Sequence, residues 1–335
     1  MASRLITHFY ILIIFNLFIQ KSLANELNFV VLSDIHIYTS GKIPAQAPKA
    51  ILHIASMRPD LVLITGDHTN GNRNDTYNLN KVRSWYNSLN ELLKPLIENN
   101  IPIIPVVGNH DFYRDVHQKA YTDWASKVIH RSFKQLNLKH TTNPLYFNFN
   151  IKNNDFFIFN LWTQRFGTKQ LDWLKSIGPK ASETHHRFGF GHVPLKSSMG
   201  KTSSYFYNQG SKIFNDLEID IYFCGHEHLH WDEANSTFPN LRQIIIGTVS
   251  GTYNFPLRRD LVTEHCFNNN TCKMPYTGDL FNIEKNSNGS GAQVNKQNWM
   301  LVNVNGAEVK TTSYTLGIDG EVTNFFNKNL KALND

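Results

Sequence analysis

Leu61-Val62-Leu63-Ile64-Thr65-Gly66-Asp67 is an unbroken apolar run that stops on a Gly-Asp pair. A run this short reads as a buried strand, and the glycine lets the backbone approach closely where Asp67 emerges. The same pattern recurs on both sides of it. Leu27–Leu32 leads into Asp34-Ile35-His36, and the run from Ile101 to Val107 leads into Gly108-Asn109-His110-Asp111. Further on, Arg187–Phe190 leads into Gly191-His192, and the run 219–224 into Gly225-His226-Glu227-His228. Between the early strands lie helical stretches. Pro44 to Met57 is one, and Tyr77 to Glu98 is another, with Val82, Trp85, Leu89, Leu92, Leu93 and Leu96 at helical spacing. Strands alternating with helices predict an α/β chain with a parallel-rich sheet.

The alternation continues downstream. Tyr113 to Val128 reads as a helix, Leu145–Phe149 and Phe156–Leu161 as strands, Lys169–Ile177 as a helix, and Ser211–Leu217 as the helix before strand 219–224. After Gly251 the composition shifts. Residues 256–296 are rich in Asn, Gly and Lys and read as a long loop. Three strands follow, at Trp299–Val304, Glu308–Tyr314 and Glu321–Phe326, with turns at Asn305-Gly306 and Asp319-Gly320. The resulting division is 1–24 leader, 25–255 core, 256–296 loop and 297–335 C-terminal antiparallel strands. Those strands are expected to extend a sheet of the core and complete the sandwich, with a small β module of their own as the alternative.

The chain has 335 residues, of which 41% are hydrophobic, enough for a sizeable core. Residues 1–24 read as a removed signal peptide: Arg4, an apolar stretch from Phe9 to Ile19, then Ser22-Leu23-Ala24. An uncleaved anchor is the alternative, but the apolar stretch falls well short of the roughly 20 residues that a span needs. The formal charge of +6 falls to about +4 without Arg4 and Lys21, and no Lys/Arg block suggests a nucleic-acid face. Sequons at Asn74, Asn235, Asn269 and Asn288 fit a glycoprotein secreted or held in the lumen of the secretory or lysosomal pathway. In that oxidising setting a Cys266–Cys272 disulfide would contribute about 2.4 kcal/mol of loop entropy. Cys224 reads as a free, packed thiol.

The five motifs supply carboxylates, an amide oxygen and imidazoles just past the carboxyl ends of strands, where the loops of an open α/β sheet converge. Such a donor set suits hard or borderline divalent ions, and two ions about 3.5–4 Å apart need one ligand that reaches both. Asp67, alone on its turn, is the natural bridge. In Asp34-x-His36 and His226-x-His228, residues two apart would share a face if the strand continued.

With these motifs in view the chain resembles the calcineurin-like metallophosphoesterases, whose blocks are Asp-x-His, Gly-Asp, Gly-Asn-His-Asp/Glu, Gly-His and Gly-His-x-His. All five stand in order between residues 34 and 228. The resemblance implies a four-layer αββα sandwich with two central mixed sheets. It also implies one metal among Asp34, His36, Asp67 and His228, and a second among Asp67, Asn109, His192 and His226. The ions would be zinc, manganese or iron, and the oligomeric state stays open. The implied reaction is hydrolysis of phosphomonoesters or phosphodiesters, small molecules or lipid headgroups, by a metal-bound hydroxide without a covalent enzyme intermediate. His110 would assist the leaving oxygen, oriented by a nearby carboxylate, Asp111 or Asp34. Purple acid phosphatases differ in having Gly at the position of His36 and Tyr at the position of Asn70. A catalytically silent scaffold on the same fold is the alternative.

The remaining polar and aromatic residues near the motifs have plainer readings. His68 reads as a solvent-facing turn residue, with a group supporting Asp67 from behind as the alternative, and His185 and His186 read as surface residues. His230 and Glu227 read as lining the last loop. Trp85 reads as core. Phe112, Tyr113 and Trp231 could stack on a leaving group or simply pack.

Overall fold

The computed structural model describes residues 26–330 apart from 75, 181, 183, 184, 198–201, 234–241, 251–290, 294–296, 318 and 319. The leader, Asn235, Asn269, Asn288, Cys266 and Cys272 therefore lie outside the described residues.

Parallel pairing in the first sheet comes from the apolar runs that precede the motifs. Strands β1 (Leu27–Leu32), β2 (Leu61–Ile64) and β3 (Ile103–Pro105) pair in parallel, with Val30 beside Val62 and Val62 beside Ile103. Helices α1 (Ala47–Ser56), α2 (Leu79–Leu92), α3 (Lys94–Glu98) and α4 (Asp115–Gln135) follow these strands. The helical stretch expected from Tyr77 to Glu98 is divided at Leu93, because Pro95 has no N–H to continue the ladder and instead opens α3.

A second sheet is formed by β4 (Phe147–Ile151), β5 (Asn154–Ile158), β6 (Arg187–Phe190), β7 (Ile221–Cys224), β8 (His230–Glu233), β9 (Arg242–Ile245) and β10 (Gly291–Gln293), in the order β10-β8-β9-β7-β6-β5-β4. Strands β5, β6, β7 and β9 are parallel. Helices α5 (Thr168–Leu174) and α6 (Ser204–Asp216) accompany this sheet. Within the segment expected as loop, residues 291–293 pair with β8.

The C-terminal strands β11 (Asn298–Asn305), β12 (Glu308–Leu316) and β13 (Val322–Leu330) join the first sheet through β1, with Phe29 beside Val302. That sheet runs β13-β12-β11-β1-β2-β3. Its hairpin turns at Gly306 and Gly320.

Two cores hold the layers together. Between the sheets, the Phe29 ring of β1 meets Phe156, Phe188, Phe190 and Phe223 of the second sheet at 5.2, 5.2, 6.2 and 6.0 Å. On the outer face of the second sheet, Phe157, Phe159, Tyr222 and Ile245 pack with Leu174 of α5 and Phe206 and Phe214 of α6. The architecture is the expected helix–sheet–sheet–helix sandwich with two mixed sheets. No described helix is long and apolar enough to cross a membrane.

His185 and His186, expected at the surface, are buried at the start of β6. His185 Nε2 lies 2.8 Å from Asp155 Oδ2, and His186 Nε2 donates to the Gly306 carbonyl at 3.0 Å, tying the second sheet to the β11–β12 turn of the first. Burial alone would raise the carboxyl of Asp220. The His186 imidazole, the Lys180 ammonium and the Arg187 N–H outweigh it and hold Asp220 below the ordinary carboxylate range.

Candidate metal centre

The site residues stand on loops that leave both sheets at the same end. Ser33 and the following loop continue from β1, Thr65 and Gly66 from β2, and residues 106–111 from β3. His192 follows β6, while His226 and His228 follow β7. The pairs Asp34/His36 and His226/His228 lie beyond their strands, so pleating does not align them. Left-handed backbone does. Asp34 and His36 each have φ of 53°, Asp67 has 51°, His226 has 74° and His228 has 54°. Such a conformation is uncommon for residues with a Cβ, and its clustering here marks a locally constrained site.

The first group consists of Asp34, His36, Asp67 and His228, all of them buried. Nε2 of His36 and Nε2 of His228 stand 3.0 Å apart. Asp34 Oδ1 is 3.1 Å from His228 Nε2 and 3.6 Å from His36 Nε2. Asp67 Oδ2 is 3.8 Å from His36 Nε2. Two imidazole lone pairs directed at one point, with carboxylate oxygens around it, repel one another unless a proton or a cation lies between them. Nitrogen ligands on a tetrahedral zinc would be about 3.3 Å apart, so the spacing suits an ion.

The second group is Asp67, Asn109, His192 and His226. Asn109 Oδ1 lies 2.9 Å from His192 Nε2 and 2.9 Å from His226 Nδ1. Asp67 Oδ2 lies 3.2 Å from His192 Nε2. The same carboxylate oxygen thus faces both groups, which is the geometry a bridging ligand requires.

The surrounding hydrogen bonds set which atom each ligand presents. His192 Nδ1–H donates to the Thr65 carbonyl at 2.8 Å, which turns the Nε2 lone pair toward Asp67 and Asn109. Asn109 Nδ2 donates to the Tyr113 hydroxyl at 2.7 Å, which leaves Oδ1 facing the imidazoles. His226 N–H donates to Asp34 Oδ2 at 3.0 Å, a link across the two sheets.

The electrostatics match this convergence. Burial would raise Asp34, but His228, His36 and His192 hold it well below the ordinary carboxylate range. Asp67 behaves alike: burial works against its charge, and His192, His110 and His36 lower it strongly. Burial depresses His192, yet Asp67 and Asp34 overcome that and lift it to about 9. His226, depressed first by burial and then by His192, falls to about 4.

His110 lies outside both groups. Its Nε2 is 3.8 Å from Asp67 Oδ2, its side chain is 25% exposed, and its backbone N–H donates to Asp67 Oδ1 at 2.8 Å. Neither Asp111 nor Asp34 orients it. Nδ1–H donates instead to the Gly71 carbonyl at 2.8 Å.

Asp111 is committed elsewhere. It accepts from Gly108 N–H at 3.0 Å, from His68 Nδ1 at 2.9 Å and from the Tyr86 hydroxyl at 3.1 Å. His68, expected to face solvent, is fully buried beneath Tyr121 and Trp124 with ring centroids at 5.6 and 5.0 Å. Together His68 and Asp111 brace the loop carrying Asp67 against the loop carrying Asn109 and His110. The Gly-Asn-His-Asp spacing signals Asp111, whereas nothing in the chain signals its pairing with His68.

Trp85 is core, as expected, and Phe112 and Trp231 are buried. Glu227 and His230 are buried too, Glu227 taking a hydrogen bond from Ser197 Oγ. Cys224 is a buried thiol near the Ile244 carbonyl at 3.7 Å, and burial pushes it up. Asn74 is exposed.

Fold and site together define a sandwich built to hold two cations at one end of its sheets. Residues 27–230 match the calcineurin-like phosphoesterase family. The chain belongs to that family. No curated protein matches it in sequence.

Solved structures share the fold at low identity. A purple acid phosphatase, PPD1, from yellow lupin (Lupinus luteus) superposes with a TM-score of 0.56 at 13% identity, over 91% of this chain and 54% of that one. The chain thus spans about half the length of the lupin enzyme. GAP50 of Plasmodium gives 0.58 at 16% identity over 92% and 89%. A dimetal phosphatase from Danio rerio gives 0.55 at 11% identity over 91% and 99%.

Proposed function

We propose that the chain hydrolyses phosphate monoesters or diesters at a dinuclear centre held by Asp34, His36, Asp67 and His228 on one side and Asp67, Asn109, His192 and His226 on the other. It would act as a glycoprotein in a secretory or lysosomal lumen. The observation that carries the reading is Asp67 Oδ2, which faces both donor groups while His110 Nε2 stands 3.8 Å away and belongs to neither.

When bound, the two ions polarise the phosphoryl oxygens and make an attacking water acidic near neutral pH. The protein supplies the rest. His110 Nδ1–H is held by the Gly71 carbonyl, so a second proton on Nε2 makes the ring an imidazolium that can pass that proton to the departing oxygen. A carbonyl orients this cation without neutralising it. Tyr113 anchors the Asn109 side chain, and the Thr65 carbonyl keeps His192 in one tautomer.

The test pairs metal analysis with an ester panel. His110→Ala is expected to keep the metal content and to lose about 10²–10⁴-fold in turnover, the usual worth of a general acid. A wild-type protein that hydrolyses no ester with zinc, manganese or iron would leave the scaffold reading. The Plasmodium neighbour, described as an anchor in the inner membrane complex, motivates that second reading.

A further inference from the structure

We infer that Arg73 and Tyr113 form a subsite beside His110 for a second negative charge, carried on the leaving portion of the ester. The inference rests on the phosphoesterase reading and narrows it to substrates with an anionic leaving group.

The loop that carries Arg73 is fastened to the leaving-group side of the site. Gly71 in this loop accepts the hydrogen bond from His110 Nδ1 at 2.8 Å, and the Arg73 carbonyl accepts from Arg114 Nη1 at 3.4 Å. The Arg73 guanidinium carbon lies 5.4 Å from the centre of the Tyr113 ring. That ring in turn packs on His110, centroid to centroid at 4.7 Å, and its hydroxyl accepts from Asn109 at 2.7 Å. Tyr113 is thus pinned at one end by a candidate metal ligand and flanked by the candidate acid and by a cation.

Arg73 is exposed and forms no ion pair with a described residue. A guanidinium over an aromatic face at this distance keeps its N–H donors available, in a fork that fits a carboxylate or a phosphate bidentately. The cation–π contact also biases the side chain toward the site before any ligand arrives, which lowers the ordering cost of binding. The reacting phosphoryl group belongs at the ions. Arg73 sits one ring beyond His110, so what it meets is the group attached to the oxygen that His110 protonates. An uncharged leaving group gives Arg73 nothing to bind.

The experiment compares phenyl phosphate with para-carboxyphenyl phosphate and with inorganic diphosphate, using the metal-loaded wild type, Arg73→Ala and Arg73→Lys. The wild type is expected to prefer both charged substrates in kcat/KM. Arg73→Ala should reduce that preference about tenfold, chiefly through KM, and Arg73→Lys should restore part of it because the charge returns without the fork. Added salt should erode the wild-type preference. A response to only one charged substrate identifies the anion as carboxylate or phosphate.

The proposal is overturned if Arg73→Ala leaves the preference intact, or if it lowers kcat equally for all three substrates, since Arg73 would then only hold the His110 loop. A wild type inactive on all three strikes the monoesterase part of the phosphoesterase reading instead. Calorimetric titration of wild type and Arg73→Ala with phenyl and para-carboxyphenyl phosphate then decides the subsite alone: a charge preference lost in the variant supports it, and equal affinities refute it.

Discussion

His192 meets the Thr65 carbonyl, Asp67 and Asn109 at once, and its proton competes with any ion for the same lone pair. Burial lowers its pKa, but Asp67 and Asp34 win and raise it to about 9. In the metal-free protein a folded pKa above the unfolded value of about 6.5 contributes stability that is complete below pH 6.5 and is lost as pH rises through 9. An ion must displace that proton. Apparent metal affinity should therefore climb about tenfold per pH unit between roughly pH 7 and 9, measured by competition with a chromogenic chelator. A flat profile would show that His192 carries no such proton. At the same scale, Asp111→Ala removes the acceptor of four donors, the N–H groups of Gly108 and His68, the His68 ring and the Tyr86 hydroxyl, and strands the buried His68. We expect a loss of about 3 kcal/mol in urea unfolding, with Asp111→Asn losing less. The donor set was legible in the sequence because each ligand ends an apolar run. The placement of His68 was not: a histidine on a turn looks exposed until helix α4 is seen to cover it and Asp111, 43 residues away, to accept its hydrogen bond.

Elements place these residues by bending sharply after each strand. The Asp-x-His and His-x-His pairs suggest a continued strand, but the backbone turns left-handed at both members of each pair. Sequence spacing shows that two side chains belong together without showing which backbone brings them there. Gly66 makes a double demand, since its φ of +100° strains any side chain and a Cβ there would run into the His192 imidazole and the Gly108 backbone. Gly66→Ala should cost about 1–3 kcal/mol from strain and should lower metal stoichiometry, read by metal analysis of the purified variant. Strands β8 and β9 were not foreseen, because they carry Asp232 and Arg242, a buried ion pair that breaks the hydrophobic pattern by which strands are recognised. The Asp220 network at the far end of the second sheet has its own signature. A depressed carboxylate stabilises above its unfolded pKa of about 3.9, and that contribution disappears as pH falls through the lower folded value. Asp220→Asn should therefore lower the melting temperature clearly at pH 7 and much less at pH 3.

At the scale of the molecule, the two sheets meet through rings. Phe29→Ala would open a cavity among Phe156, Phe188, Phe190 and Phe223 and should cost about 3–5 kcal/mol in denaturant unfolding. The parallel halves of the sandwich were legible from strand–helix alternation and from the family resemblance. That the C-terminal strands extend a core sheet was legible, but which strand they join was not, since pairing of β11 with β1 joins residues 27 and 304 and no local pattern encodes so distant a neighbour.

Each donor group draws from both sheets: Asp34, His36 and Asp67 meet His228, and Asp67 and Asn109 meet His192 and His226. An ion held there is a rivet through the two leaves of the sandwich. Parting of the leaves would pull its ligands apart, so its exchange rate should respond to how often the aromatic seam breathes. A substitution at Phe29, far from any ligand, should then quicken the release of metal as well as unfolding, and the enzyme's working lifetime would be set at its hydrophobic middle.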